Sequence, residues 1–542
     1  MQHSELLQRL EKLIDIGIAL SAEKNTQHLL ETILRGAKTI TNADGGTLYS
    51  VREDGTVRME IILTDSLNVA MGGTTGTAPP IPLFDEAGQP NGRMVVTYAV
   101  LNAATVNIRD AYDADGFDFS GTRAFDRQTG YRSTSFLTVP MKDHKGNVIG
   151  VLQLINATDG DGRIVPFSVE AQRLTEALAS QAAVALTNKR LVAELEDLFK
   201  SFIHLIANAI DEKSAYTGGH CRRVPVLTMM LADAVARCRQ KPFEEFTLDE
   251  DDRYELEVAA WLHDCGKIIT PEHVVDKATK LETKFDRIEL VNARTEILRR
   301  DAEIALLKRR LARLEAGEPT PGSAAQGGAF AEECEQLADD LAFLRRSNLG
   351  GEFMSEHDQA RVRAIARRTW FDADGREHRL LTEDEVANLN IPRGTLTPGE
   401  RQTINNHVVA TTRMLESLPF PKHLRNVPEF ASGHHERMDG KGYPRGLTGE
   451  QMSVQARIVA IADVFEALTA RDRPYKAGKR LSESMRILAD MARTSHIDPD
   501  LFNIFVREGV YLEYARQHLD PAQLDEVPEE LFAPRDIPAA AG

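Results

Sequence analysis

Apolar residues along this chain change their period several times. Residues 1–25 place Leu6, Leu7, Leu10, Leu13 and Ile14 on one stripe, which predicts an amphipathic helix. Mixed strand and helix patterns follow to about residue 165. Within them, Phe136-Leu137-Thr138-Val139-Pro140-Met141 and Val148-Ile149-Gly150-Val151-Leu152-Gln153-Leu154-Ile155 flank the turn chemistry of Asp143-His144-Lys145-Gly146, a hairpin pattern. From 168 to 213, Leu174, Leu178, Ala182, Leu186, Leu191, Leu195, Leu198 and Phe202 keep helical spacing with no Pro or Gly. A helix that long outside a core pairs with a copy of itself, so this stretch predicts a dimeric signalling helix. The alternative is two separate helices, one closing each flanking domain. From about residue 212 onward the pattern is almost entirely helical.

A length of 542 residues exceeds one core and predicts two or three domains. No apolar run is long enough to span a bilayer. The stretch 13–20 is too short, and Asp15 breaks it, so it is no secretory signal. A cytoplasmic chain with no membrane partner is expected. Four cysteines (Cys221, Cys238, Cys265, Cys334) without a CxxC pair exclude a disulfide framework and a zinc ribbon. The net charge of −17 argues against broad nucleic-acid binding. It also means that an anionic substrate needs metals and local Arg or Lys to reverse the field.

The candidate chemistry lies in the helical half. His220 follows Tyr216-Thr217-Gly218-Gly219, His263 and Asp264 open His263-Asp264-Cys265-Gly266-Lys267, and His407 stands alone. His434-His435-Glu436 leads into Gly442-Tyr443-Pro444, and Asp463 comes 28 positions after His435. This ordered set resembles the HD-GYP family. The resemblance implies a helical metal-dependent phosphodiesterase that hydrolyses cyclic di-GMP to linear pGpG by a metal-bridged hydroxide. It implies two divalent ions, iron or manganese with zinc as the alternative, held by His220, His263, Asp264, His407, His434, His435 and Asp463, with Asp264 bridging. Imidazole and carboxylate donors suit those metals better than calcium. Lys267, read as one helical turn from His263 and facing the same site, is assigned to the substrate or leaving group. Arg473 and Lys476 match phosphate contacts, and Gly442, Tyr443 and Pro444 shape the guanine side of the cleft. Read alone, Lys267 is equally a helix-end lysine, Arg473 and Lys476 a solvated pair, and Gly442-Tyr443-Pro444 a tight turn. Tyr216 stands where some members carry a glutamate that recruits a third metal, which keeps the expected number at two. Cys265 reads as a packed small hydrophobe. His144, His273, His357, His378 and His423 match no ligand position. A non-catalytic cyclic di-GMP receptor and a hydrolase of another cyclic dinucleotide are the alternatives.

Against that family, the stretch after Lys277-Ala278-Thr279-Lys280-Leu281-Glu282 is interrupted until Leu396-Thr397-Pro398-Gly399-Glu400. The intervening 285–394 reads as an insertion. Leu290, Ile297, Ile304 and Leu311 lie seven apart with Leu307 and Leu314 beside them. Residues 315–328 are flexible in composition and 330–346 are helical again. A helical hairpin and a solvated, partly disordered excursion are both open.

Residues 25–185 resemble a GAF domain through Asn107-Ile108-Arg109-Asp110-Ala111-Tyr112, Phe125-Asp126, Thr129-Gly130-Tyr131-Arg132-Ser133 and Gly150-Val151-Leu152-Gln153-Leu154-Ile155-Asn156. The implied fold is an antiparallel sheet packed with helices. The Asn-Lys…Phe…Asp-Glu signature of cyclic-nucleotide-binding GAF domains is broken. Asn156 and Phe167 stand, but Ala157, Ala171 and Gln172 replace the Lys, Asp and Glu. Another small-molecule ligand, or a purely dimerising role, is expected instead. The domains expected are an N-terminal helix over 1–24, a GAF sensor over 25–185, a signalling helix over 168–213 and an HD-GYP domain over 212–542 interrupted by 285–394. A homodimer is expected.

Overall fold

The computed structural model describes residues 2–23, 25–72, 79–213, 219–239, 241–317, 323–351, 353–471 and 478–528. Two compact units divide it, Met1–Phe199 and Lys200–Gly542. In the first, α1 (Gln2–Ala22) and α2 (Thr26–Thr41) precede the strands β1 (Ala43–Val51), β2 (Thr56–Thr64), β3 (Val69–Gly72) and β4 (Ile81–Pro82). Then come α3 (Val95–Asn102), β5 (Val106–Ile108), α4 (Ser120–Thr129), β6 (Phe136–Lys142), β7 (Val148–Thr158) and β8 (Ile164–Val165). Helix α5 (Val169–Lys213) carries the chain onward from the first unit into the second. The sheet is antiparallel in the order β3-β2-β1-β7-β6-β5, with β4 beside β2 and β8 beside β7.

Local chemistry explains these elements. Asn25 caps α2 by accepting the N–H groups of Gln27 and His28. Asp143 accepts the N–H groups of Lys145 and Asn147, and Gly146 at φ +86 completes the expected turn between β6 and β7. Leu29, Ile33 and Leu34 of α2 and Leu174, Leu178 and Ala182 of α5 cover one face of the sheet. Val96 and Ala99 of α3 pack with Tyr49, Val57 and Val151 on the other. The stripe expected on α1 divides. Leu13 of that stripe is buried with Leu20, and Ile16 packs against Gly36, whereas Leu7, Leu10 and Ile14 are exposed.

The second unit holds α6 (His220–Arg237), α7 (Glu250–Leu262), α8 (Glu272–Val275), α9 (Ile288–Glu315), α10 (Ser323–Asn348) and α11 (Glu356–Ala366). A two-stranded sheet, β9 (Thr369–Phe371) with β10 (Glu377–Arg379), interrupts the helices and was not expected. Then follow α12 (Glu383–Leu389), α13 (Pro398–Glu416), α14 (Val427–Ser432), α15 (Val454–Thr469), α16 (Leu481–Arg493), α17 (Pro499–Arg507) and α18 (Val510–His518). Helix α15 is the spine. Ile458, Val459, Ile461 and Phe465 are fully buried, and the Phe465 ring meets Phe505 edge-on.

The two halves of the interrupted turn meet. Lys277 donates to Glu400 at 2.8 Å and to Asn388 at 2.9 Å, and Lys280 donates to the carbonyls of Leu389 and Ile391. Between these stitches α9 and α10 lie antiparallel, as the Asn292–Arg345 contact requires. The segment has its own core of Leu281, Ile288, Val291, Phe343, Leu344 and Val362. Among the described residues, no helix is long and apolar enough to cross a membrane.

Candidate metal centre

Four segments of the second unit converge on one carboxylate. Helix α6 begins at His220, after Gly219 turns the chain at φ +80. Helix α7 ends at Leu262, and His263 closes it. Asp264 leaves helical geometry at φ −104 and ψ 10, and a tight helical turn follows over Cys265–Ile269. Lys267, expected one helical turn from His263 and facing the same site, does face it, but from this tighter turn and not from a continuous α-helix. The break swings Asp264 inward, and Lys267 returns to it from the tighter turn at 2.5 Å. Gly266 is required by close approach, because a Cβ there would lie 2.0 Å from the His407 carbonyl on α13. Thr411 of α13 locks the turn, accepting the Gly266 N–H at 2.9 Å and donating to the His263 carbonyl at 3.2 Å.

Asp264 has two sides. Its Oδ2 lies 3.3 Å from His220 Nε2 and 3.2 Å from His263 Nε2. Its Oδ1 lies 3.2 Å from His407 Nε2 and 3.9 Å from His434 Nε2. Asp463 on α15 joins the first side, 3.2 Å from His220. Two donor groups result, His220 with His263, Asp264 and Asp463, and His407 with His434 and His435. Within each group the donor atoms lie within 4.8 Å of one another. All seven residues expected to be ligands are thus brought together, and six of them are buried.

The imidazoles are aimed by their other nitrogens. His263 Nδ1 meets the Ala260 carbonyl at 2.7 Å, His407 Nδ1 the Ile404 carbonyl at 2.6 Å and His434 Nδ1 the Ala431 carbonyl at 2.5 Å. A carbonyl oxygen only accepts, so each Nδ1 carries the proton and each Nε2 offers a lone pair inward. Asp264 Oδ1, His407 Nε2 and His434 Nε2 are buried without a hydrogen-bond partner. Buried orphans of this kind are costly unless something binds them, and a cation between them fits.

Electrostatics agrees with that chemistry. Burial would raise the Asp264 carboxyl, but Lys267 and His263 hold it well below the usual carboxylate range. Burial would likewise raise Asp463, and His220 hydrogen-bonded to it brings it far down. Burial pushes His434 well below the usual imidazole range, helped by His435 and His263, and pushes His435 down to about 4. Ionised carboxylates and neutral imidazoles are the forms that bind metals. His220 differs. Burial opposes its charge, yet Glu466, Asp264 and Asp463 raise it well above the usual range.

Glu466, one turn beyond Asp463 on α15, escaped the sequence reading. Its buried carboxylate accepts from His220 Nδ1 and, at 2.6 Å, from Arg223 Nε. Its three-residue spacing from Asp463 was the signal that could have found it. Glu436 also acts through backbone. It accepts the N–H groups of Arg445 at 2.7 Å and Leu447 at 2.9 Å, folding the loop that carries Gly442, Tyr443 and Pro444. Gly442 packs where a Cβ would meet Arg437 N at 2.5 Å. The Tyr443 ring stacks on His435 with centroids 4.9 Å apart, which puts that loop at the rim of the second donor group. Cys265 is buried, and burial pushes its thiol up to about 11, so it packs as an inert side chain. His378 pairs with Asp372 and stacks on Trp370, and His423 stacks on Tyr254, both away from the donor groups. Tyr216, Arg473 and Lys476 lie outside the described residues.

Three family models match parts of the chain. Residues 25–186 match the GAF domain, and 217–338 and 383–501 match two models of the HD domain. A cyclic di-GMP phosphodiesterase of Pseudomonas aeruginosa is 39% identical over 27% of this chain and 35% of its own length. A 3'3'-cGAMP-specific phosphodiesterase 1 of Vibrio cholerae is 47% identical over 24% of this chain and 29% of its own length. A dual 3',5'-cyclic-AMP and -GMP phosphodiesterase 11 of Drosophila melanogaster is 26% identical over 46% of this chain and 18% of its own length. This chain spans about a third or less of the length of these curated relatives.

Proposed function

We propose that this chain, a GAF domain joined to an HD domain of the HD-GYP kind, is a metal-dependent phosphodiesterase that opens cyclic di-GMP to linear pGpG under control of its GAF domain. The observation that carries the reading is Asp264, with one carboxylate oxygen toward each of two donor groups. His220, His263, Asp264 and Asp463 would hold one divalent ion and His407, His434, His435 and Asp264 a second, with donors that suit iron, manganese or zinc. Such ions supply Lewis acidity toward a phosphoryl oxygen and activate water.

The chain's own groups do the rest. Lys267 stands 2.5 Å from Asp264 as a cation at the floor of the site, fit to meet a phosphate oxygen or the leaving alkoxide. Lys267, half-buried, gains more from Asp264 and Asp463 than desolvation costs, so it stays charged. Tyr443 offers a ring face beside the second donor group on which a guanine can stack. Arg473 and Lys476 are proposed phosphate contacts from the sequence alone. The four free cysteines suit a reducing compartment, and a cytoplasmic location is proposed.

The relative named for 3'3'-cGAMP is the more identical of the two bacterial ones, which favours a mixed dinucleotide as a second substrate. The test is metal analysis of purified protein, with chromatography of products from a panel of cyclic dinucleotides. Two metals per chain and accumulation of pGpG are expected. Product only from 3'3'-cGAMP would replace the substrate assignment, and either about three metals per chain or GMP as the dominant early product would overturn the reading of Tyr216.

A further inference from the structure

The last turn of α5 reaches into the second unit and fastens both segments that open the donor set. Asp211 is buried and accepts the N–H of Gly219 at 3.0 Å and that of Cys221 at 3.3 Å, on either side of His220. Two residues on, the Lys213 ammonium donates to the carbonyls of Lys267 at 3.2 Å, Thr270 at 2.7 Å and Ile268. Three ammonium donors thus meet three carbonyls at the end of the turn that begins at Asp264. Earlier contacts hold the same stretch of α5 in place. Asn208 accepts from Arg222 at 2.9 Å, and the His204 ring lies 4.3 Å from that of Trp261, two residues before His263.

Neither the motifs nor the family matches account for Asp211 and Lys213. A helix end that only needed to stop would require no buried carboxylate and no triple carbonyl contact. These two side chains bond to the backbone that orients His220 on one side and Asp264 and Lys267 on the other. We propose that Asp211 and Lys213 are positioning residues of the metal centre, through which the end of α5 sets metal affinity and turnover. The proposal rests on the metal-site reading above. It makes a shift or rotation of α5, rather than a ligand entering the cleft, the event that changes the centre.

The test uses the full chain carrying Lys213→Met, Lys213→Arg or Asp211→Asn. Each is titrated with manganese, with bound metal counted per chain, and kcat and KM are measured on cyclic di-GMP. Helical circular dichroism and melting temperature report folding. Lys213→Met and Asp211→Asn are each expected to bind manganese about tenfold more weakly and to lose about tenfold in kcat with little change in KM, as losses of support around ligands do. Lys213→Arg should recover most of both. Folded Lys213→Met and Asp211→Asn proteins with wild-type manganese affinity and kcat would overturn the proposal, whatever their melting temperatures. If Lys213→Met fails to fold, Asp211→Asn decides by the same two readings. A wild-type protein that binds manganese but hydrolyses no cyclic dinucleotide would sink the phosphodiesterase reading, and the manganese titration would still judge Asp211 and Lys213.

Discussion

Asp264 concentrates the site's chemistry in one side chain. No other described carboxylate faces both donor groups, so Asp264→Ala should abolish turnover and strip bound metal while helical circular dichroism stays at wild type. Persisting turnover in a metal-replete Asp264→Ala protein would remove it from the centre. Glu466 acts one bond further out. Glu466→Gln keeps the size but weakens the hold on His220 Nδ1, and a loss of roughly ten- to a hundredfold in metal affinity or turnover is expected. An unchanged metal isotherm would mean that Glu466 serves only Arg223. The residues of the two donor groups were legible as residue types in order along the chain, because metal binding needs particular donor atoms. The aiming carbonyls of Ala260, Ile404 and Ala431 were not legible, since any residue supplies a carbonyl and only the fold decides which one is near. Asp211 and Lys213 were hidden likewise, because their partners are backbone groups.

At the scale of elements, the interruption 285–394 shows what periodicity does and does not reveal. The seven-residue repeat of α9 read as a heptad seam, and in the structure Leu290, Ile304, Leu307, Leu311 and Leu314 of that seam are exposed. The line that is buried runs beside it, where Ile288 and Val291 pack with Phe343 and Leu344. The helices of the hairpin were legible, and its core was not, because α11, α12 and Leu380-Leu381 just after β10 supply half of its buried residues from beyond the heptads. The base stitches carry the stability. Lys277 is buried against Glu400, and removing one partner of such a pair costs about 3–5 kcal/mol, so Lys277→Met should lower the melting temperature far more than a surface change. A melting temperature within a degree or so of wild type would contradict this. The tip should be dispensable. Antiparallel helices pack roughly 8–10 Å apart, so a Gly-Ser link of about four residues can replace 304–333. That deletion should leave turnover within about twofold, since nothing it removes lies in the donor groups. A collapse of activity in a folded deletion protein would give the tip a catalytic role.

For the whole molecule, the decisive feature is surface that a single chain leaves uncovered. Along α5, Val184, Leu191, Leu195, Leu198, Phe202 and Leu205 are exposed by 44–64% and recur at intervals of three, four or seven. On α1, Leu7, Leu10, Ile14 and Ile18 are exposed as well, and the two helices frame one groove in the first unit. Isolated exposed apolar residues are ordinary, but a heptad row on a helix of 45 residues is the seam of a coiled coil. Periodicity predicted the α5 helix as one piece because no Pro or Gly interrupts it. The same continuity concealed where the first compact unit ends, at Phe199, in the middle of that helix. The outward face of α1 was also hidden, since a stripe in sequence does not say whether its own chain or another covers it. We expect a homodimer paired along α5, with two copies of the row burying each other. Light scattering at micromolar concentration should give twice the chain mass for wild type. In Leu195→Glu with Leu198→Glu, four carboxylates face one another across the seam, and the mass should halve while each chain keeps its helical signal. A wild-type protein of single-chain mass would reject the dimer. A double variant that stays dimeric would move the interface off α5, to the exposed face of α1 or the α9 tip.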